Sequence, residues 1–183
     1  PAAARVVIDD ADAGVIAAIP KRKKWAIVGF CSSTMGEAPW ENPEWTICGM
    51  NQLYRMMPRA DLWFEMHPDP TVDEVPGTDY RGWLQRSPIP IMMQRTHADI
   101  ATSVRFPIKS AIEWLGRDYF QSTMAYMIVY AAMQGAEEIG LWGIDLVMGT
   151  EYEYQRPNCE YILGVCEARG IRITIPSDIA ILK

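Results

Sequence analysis

The feature that most constrains this chain is a repeated unit: six short apolar runs, at residues 25–30, 45–50, 61–66, 89–93, 139–144 and 171–175, each followed closely by a hydrogen-bonding side chain. Runs of that length are too short for stable helices. They also lack the polar alternation of a strand with one wet face, so they predict strands buried on both sides. Stretches 80–85, 108–115, 121–134 and 156–169 lie between them with helical spacing, the last placing Cys159, Ile162, Leu163 and Cys166 on one face. Residues 51–57 predict a helical turn. Parallel strands need a crossover between them, and alternating strands and helices of these lengths argue for a parallel sheet with helices on both faces. Stretch 121–134 is apolar nearly all round, so it predicts a central helix covered on most sides, with Gly135 as its stop.

Composition sets the outer limits. A chain of 183 residues with 49% hydrophobic content can bury one sizeable core, so 25–183 reads as a single domain and 1–24 as an extension, partly helical or irregular. A net charge of −6 and a pI near 4.9 argue against general nucleic-acid binding, which needs clustered cations. The one basic run, Lys21 to Lys24, reads as a solvated entry to the first strand. Cys31, Cys48, Cys159 and Cys166 form no Cys-x-x-Cys pair, which predicts reduced thiols, a cytoplasmic location and no zinc or redox motif. The longest apolar stretch, 124–133, falls short of the ~20 residues that span a bilayer. Seven Trp and eleven Met exceed what a small core needs, which leaves room for a homo-oligomer.

In open α/β sheets, ligands bind outside the carboxyl ends of the strands, near the point where strand order reverses. The residues delivered there are Ser32 and Ser33 after the first run, then Asn51, His67, Gln94 and Asp145, with Ser177 and Asp178 after the last. Polar loops are common anyway, so each has a plainer reading beside the functional one. Ser32 and Ser33 suit a phosphate- or ribose-binding turn, although the sequence matches neither a dinucleotide fingerprint nor a P-loop. Asn51 can cap a helix or bond a base or ribose. His67 can serve as a general base or stand as a structural histidine, and His97 is the weaker candidate. Asp145 can bind a ribose hydroxyl or cap the next segment.

Gln121, Ser122 and Thr123 open the buried helix, whose unpaired N–H groups favour a phosphate or carboxylate. Segment 149–156 mixes Glu151, Glu153, Tyr152, Tyr154 and Arg156. It can close as a lid, with the phenols and guanidinium on phosphate oxygens and a glutamate as base, or stand as an exposed loop before a helix that Pro157 starts. No Asp-x-Asp pair follows a strand, so no metal ligands are nominated and a magnesium requirement stays open.

Several pieces in order resemble the bacterial lipooligosaccharide sialyltransferase family and, more loosely, 6-hydroxymethylpterin diphosphokinase-like proteins. They are Ile27-Val-Gly-Phe-Cys-Ser-Ser33, Gly49-Met-Asn-Gln-Leu-Tyr54, Ala60-Asp-Leu-Trp-Phe-Glu-Met-His-Pro68, Ser122-Thr-Met-Ala-Tyr-Met and Gly135 through Asp145. The Trp-Phe-Glu-Met-His and Glu-Tyr-Glu-Tyr-Gln-Arg-Pro segments also resemble short phage-encoded proteins of this type, which would place the chain in a host cytoplasm. The resemblance implies a Rossmann-like three-layer α/β sandwich with a mainly parallel sheet of about six strands. It implies ribose and phosphate contacts at Ser33, base or ribose contacts at Asn51 and further nucleotide contacts at Ser122 and Thr123. Tyr152 and Tyr154 fall near the family's phenols that steady a leaving phosphate. Phe30 stands where the family has asparagine, and the family's long lid with its histidine is cut to 147–156, so His67, Glu151 and Glu153 are the candidate bases.

The resulting expectation is a small nucleotide-sugar-binding transferase of glycosyltransferase type. The alternatives are a non-catalytic phage protein that sequesters a nucleotide, and a nucleotide hydrolase.

Overall fold

The computed structural model describes residues 12–70, 75–146 and 153–182. Among them, seven strands form one sheet: β1 (Lys24–Val28), β2 (Trp45–Met50), β3 (Leu62–Glu65), β4 (Ile91–Met93), β5 (Ser103–Arg105), β6 (Glu138–Trp142) and β7 (Arg172–Thr174). Their order is β5-β4-β3-β2-β1-β6-β7, and each neighbouring pair is parallel. The chain therefore builds outward from β1 to β5, then crosses back to lay β6 on the other flank of β1. Strand order reverses between β1 and β6, and this Rossmann-like switch opens a crevice where the two strands diverge.

The helical elements are α1 (Ala13–Ile16), α2 (Ser32–Met35), a 3-10 turn (Asn51–Arg55), α3 (Tyr80–Arg86), α4 (Ile108–Leu115), α5 (Thr123–Met133) and α6 (Gln155–Ala168). Adjacent strand residues point to opposite faces, and Trp63 and Phe64 of β3 show what covers each. Phe64 meets Tyr130 of α5 edge-on at 5.8 Å, joined there by Trp25 of β1 at 6.1 Å. Trp63 turns the other way, packs on Trp83 of α3 at 4.7 Å and donates its indole N–H to the Tyr80 hydroxyl. Burying each such ring contributes about 1.5–3 kcal/mol relative to exposure, which explains the aromatic content on both faces. Helix α5 buries nine of its eleven residues, as its all-round apolar pattern requires.

Several expectations shift. The sheet has seven strands rather than about six, because β5 is only three residues long and carries no periodicity of its own. Its identity comes from pairing with β4. Residues 32–35, expected as a turn, form one turn of helix. Part of the extension is ordered: α1 lies against β5, and the Asp12 carboxylate accepts the Arg105 backbone N–H, covering an otherwise open sheet edge. The basic run is not merely solvated, since three of its members pair across the amino ends of the strands: Arg22 with Asp61, Lys23 with Glu137, and Lys24 with Glu44. Among the described residues, no helix is long and apolar enough to cross a membrane.

Candidate functional site

At the carboxyl ends of β1, β2, β3 and β6 lies a cavity of about 920 Å³, walled on one side by the start of α5. Two glycines set its floor. A Cβ on Gly29 would collide with the Gly143 carbonyl oxygen, and one on Gly143, whose φ is +67°, with that of Gly29, so only glycine lets the ends of β1 and β6 approach this closely. Thr34, fully buried in α2, locks the approach by accepting the Gly143 N–H at 2.8 Å.

Asn51 follows β2 with φ at +49°, in the left-handed region where a non-glycine residue is uncommon. It does not cap the 3-10 turn it opens; its Oδ1 and that of the next side chain, Gln52 Oε1, are buried with no hydrogen-bond partner, and both residues line the cavity. A buried unsatisfied acceptor costs about 1–3 kcal/mol, so such groups at a cavity wall mark where a donor is expected to arrive.

At the start of α5, the Ser122 hydroxyl caps the helix by accepting the Ala125 N–H, while Gln121, Ser122 and Thr123 line the cavity. The approach to this end is held by Asn158, fully buried in α6. Its Oδ1 accepts the Gln121 N–H at 3.1 Å, and its amide donates to the Tyr119 carbonyl at 2.8 Å. No Lys or Arg lines the cavity among the described residues, so a helix end and neutral donors are what it could offer an anion, beside the carboxylate of Asp145.

The third wall is His67. Residues two apart in extended chain share a face, which brings it beside Glu65, the last residue of β3 and 1% exposed. Glu65 Oε1 lies 2.6 Å from His67 Nδ1 and accepts the His67 backbone N–H at 3.0 Å, while Oε2 accepts the Tyr80 hydroxyl at 2.7 Å. Burial pushes the Tyr80 phenol well above its ordinary value, with the Glu65 charge adding to it, so Tyr80 stays protonated and donating. Gln94 steadies the same turn by donating to the Met66 carbonyl at 2.6 Å.

The expected residues thus divide. Asn51, His67, Gln121, Ser122, Thr123 and Asp145 come together on one cavity. Ser32 and Ser33 are exposed on α2 and their neighbour Cys31 lines the wall instead. Gln94 acts one layer out. Asp145 also accepts the Ala180 N–H, and Arg156 donates to Glu160 and to the Ala180 carbonyl, so both help anchor the C-terminal segment. Glu153 is exposed, Tyr154 is 78% exposed, and neither lines the cavity; Glu151 and Tyr152 lie outside the described residues. Glu65 and Asn158 were not anticipated. Their signal was a polar side chain inside an apolar strand and on the apolar face of a helix.

Phe30 stands 43% exposed at the rim, and Phe120 stacks on Tyr126 at 4.7 Å along the wall, offering ring faces to a ligand. No cluster of potential metal ligands occurs among the described residues.

No family model matches the sequence, and no curated protein does. Solved structures do match in fold. The sialyltransferase CstII from Campylobacter jejuni in complex with cytidine-5′-monophosphate (CMP) has a TM-score of 0.52 at 15% identity, over 84% of this chain and 79% of that one. The same enzyme with CMP-3FNeuAc gives 0.54 at 14%, over 83% and 79%. CST-II with a trisaccharide acceptor and CMP gives 0.55 at 14%, over 84% and 80%. At such identities the likeness establishes a shared architecture.

Proposed function

We propose that the cavity binds a nucleotide sugar and that the protein transfers the sugar to an acceptor hydroxyl. The observation that carries this reading is that Asn51, whose buried Oδ1 has no partner, lines the same cavity as the amino end of α5. An acceptor and a phosphate-binding helix end side by side suit a ligand that presents a ribose hydroxyl or an exocyclic amine next to a phosphate. Phe30 supplies a ring face at the rim for the base or the sugar. Structures of similar fold hold CMP, which makes cytidine nucleotides the first ligands to test.

In the transfer step, His67 takes the proton of the acceptor hydroxyl as its oxygen bonds to the anomeric carbon. The bond from that carbon to the phosphate oxygen breaks, and its electron pair stays on the phosphate, which the N–H groups opening α5 stabilise. Tyr154, Arg156 and Glu153 lie off the cavity wall, so no role in this step is assigned to them.

The test is calorimetric titration with cytidine, uridine, adenosine and guanosine monophosphates and their sugar conjugates, with product analysis with and without magnesium. Binding of one nucleotide sugar together with release of its nucleotide supports transfer. Binding without release supports sequestration, and no binding removes the nucleotide reading.

A further inference from the structure

We infer that Asn158 is a positioning residue for the ligand site: by clamping the two peptides on either side of Phe120, it fixes the Phe120 ring and the opening of α5 in one wall of the cavity. The inference rests on the nucleotide reading above, which assigns that wall to the ligand.

Asn158 is fully buried, as are Cys159, Ile162, Leu163 and Cys166 of the same helix. A side-chain amide accepts and donates at once. Here Oδ1 accepts the Gln121 N–H at 3.1 Å, and Nδ2 donates to the Tyr119 carbonyl at 2.8 Å. A backbone N–H can only donate and a carbonyl can only accept, so these partners fix which way the amide faces. The two groups belong to the peptides that precede and follow Phe120. One side chain therefore holds the backbone on both sides of that residue. Its neighbour continues the contact: Cys159 Sγ lies 3.6 Å from the Ser122 hydroxyl, which accepts the Ala125 N–H. Successive residues of α6 thus hold successive parts of the approach to α5.

That approach is cavity wall. Phe120, stacked on Tyr126 at 4.7 Å, lines the cavity together with residues 121–124, and so does Gln155, the first residue of α6. The first amides of a helix have no partner within it. At this opening Asn158 takes the Gln121 N–H and Ser122 takes that of Ala125, whereas the Thr123 and Met124 N–H groups make no hydrogen bond among the described residues. With no Lys or Arg on the wall among those residues, ring and amides are placed by the backbone alone. A long cationic side chain could follow a displaced ligand; a peptide N–H cannot, so a shift of the 119–122 turn costs affinity directly. A purely architectural Asn158 would set the stability of this turn and leave the affinity of the folded protein untouched.

Amide hydrogen exchange on the wild-type protein, with and without CMP, tests the geometry. The Gln121 amide is expected to be protected before ligand is added, and the Thr123 and Met124 amides to become protected only with CMP. A Gln121 amide that exchanges as fast as that of Thr123 in the free protein overturns the clamp. Thr123 and Met124 amides that do not respond to bound CMP overturn its link to the ligand.

Asn158→Asp tests the role. Burial raises the new carboxyl above the ordinary aspartate range. Protonated, it reproduces both bonds, with its O–H donating to the Tyr119 carbonyl; ionised, it sets a second anionic oxygen against that carbonyl. Calorimetric titration with CMP is run on both proteins below and above the pH at which carbon-13 NMR shows this carboxyl ionising. The Kd of the variant relative to wild type is expected to be near one below that pH and about tenfold higher above it. Groups that titrate in both proteins, His67 and Asp145 on the cavity and Cys159 beside position 158 among them, cancel in that ratio. A ratio that does not change overturns the positioning role, whether or not the melting temperature of the variant shifts with pH. If the variant does not fold, the exchange pattern of the wild-type protein decides. A wild-type protein that binds none of the nucleotides titrated above removes the reading of the site, while protection of its Gln121 amide still decides whether Asn158 holds the turn.

Discussion

The two ends of the same strands are built on opposite principles. At the amino ends, charge is paired within the fold: Asp61 accepts from Arg22 and from the Ile47 backbone at 2.8 Å each, Lys24 pairs with Glu44, and Glu138 binds Arg172 and Thr174. At the carboxyl ends, Asn51 and Gln52 keep buried acceptors without partners, Asn51 and Leu146 hold left-handed backbone, and a cavity of about 920 Å³ separates the walls. The contrast teaches that a polar residue's meaning depends on which end of a parallel sheet it occupies. Buried polar atoms without partners occur at both edges, Arg59 Nε and Ser87 Oγ at the amino one, so it is the cavity beside Asn51 and Gln52 that sets the carboxyl edge apart.

The contrast can be broken most severely at His67. His67→Ala should lower kcat by about 10²- to 10⁴-fold, the ordinary worth of a general base, with nucleotide affinity unchanged; steady-state kinetics beside calorimetric titration measures both. Asp61→Ala should do the converse at the other end. It removes charge-assisted hydrogen bonds and is expected to destabilise by about 1.5–3 kcal/mol, read by urea unfolding, with nucleotide affinity unchanged.

Asn51→Gly sharpens the comparison further, because glycine accepts the +49° φ and only the side chain is lost. Nucleotide binding should weaken about tenfold, equivalent to ~1.4 kcal/mol, with stability unchanged or slightly raised as the orphan acceptor disappears. An Asn51→Gly protein that binds as wild type would show that the open acceptor has no ligand.

The lack of Lys and Arg on the cavity wall among the described residues predicts a small salt response. Raising ionic strength should change nucleotide affinity far less than it would for a site built from Lys and Arg, as calorimetry at two salt concentrations would reveal.

The smallest effect concerns the C-terminal segment. Burial pushes the Glu160 carboxyl upward, but the Leu182 N–H and the Arg156 guanidinium outweigh it and hold the group below the ordinary glutamate range. A depressed carboxyl stabilises above its unfolded value of about 4.3 and loses that contribution as pH falls through its folded value. The segment around Leu182 should therefore loosen on acidification, visible as faster amide exchange there.

How much of this was legible in the sequence varied with the range of the interaction. The long apolar pattern of 121–134 and the strand-like form of 45–50 led directly to α5 and β2, because burial on all sides leaves a mark in every residue. Strand β5 left no mark, since three residues become a strand only by pairing with β4. The rule that ligands gather at strand ends nominated Asn51, His67 and Asp145, and the helix-end rule nominated Ser122; all four line the cavity. Neither rule could distinguish Arg156, which serves the C-terminal segment, from a residue of the wall. Nor could they find Glu65, whose partners His67 and Tyr80 come from the turn after β3 and from a separate helix, with Trp63 of β3 donating to Tyr80 in turn.

The sequence by itself determined that alternating strands and helices would wind a parallel sheet, because hydrophobic periodicity is a local property that each segment carries alone. Only the tertiary structure decided that the order reverses between β1 and β6 and that Gly29 and Gly143 meet there. It also decided that a buried glutamate would grip the one histidine at the cavity. The strand order and the Gly29–Gly143 approach are relations between segments far apart in the chain, and even the local Glu65–His67 pair is buried only because Tyr80 of α3 packs on it, so all of them come into being when packing selects one arrangement of the elements over the others.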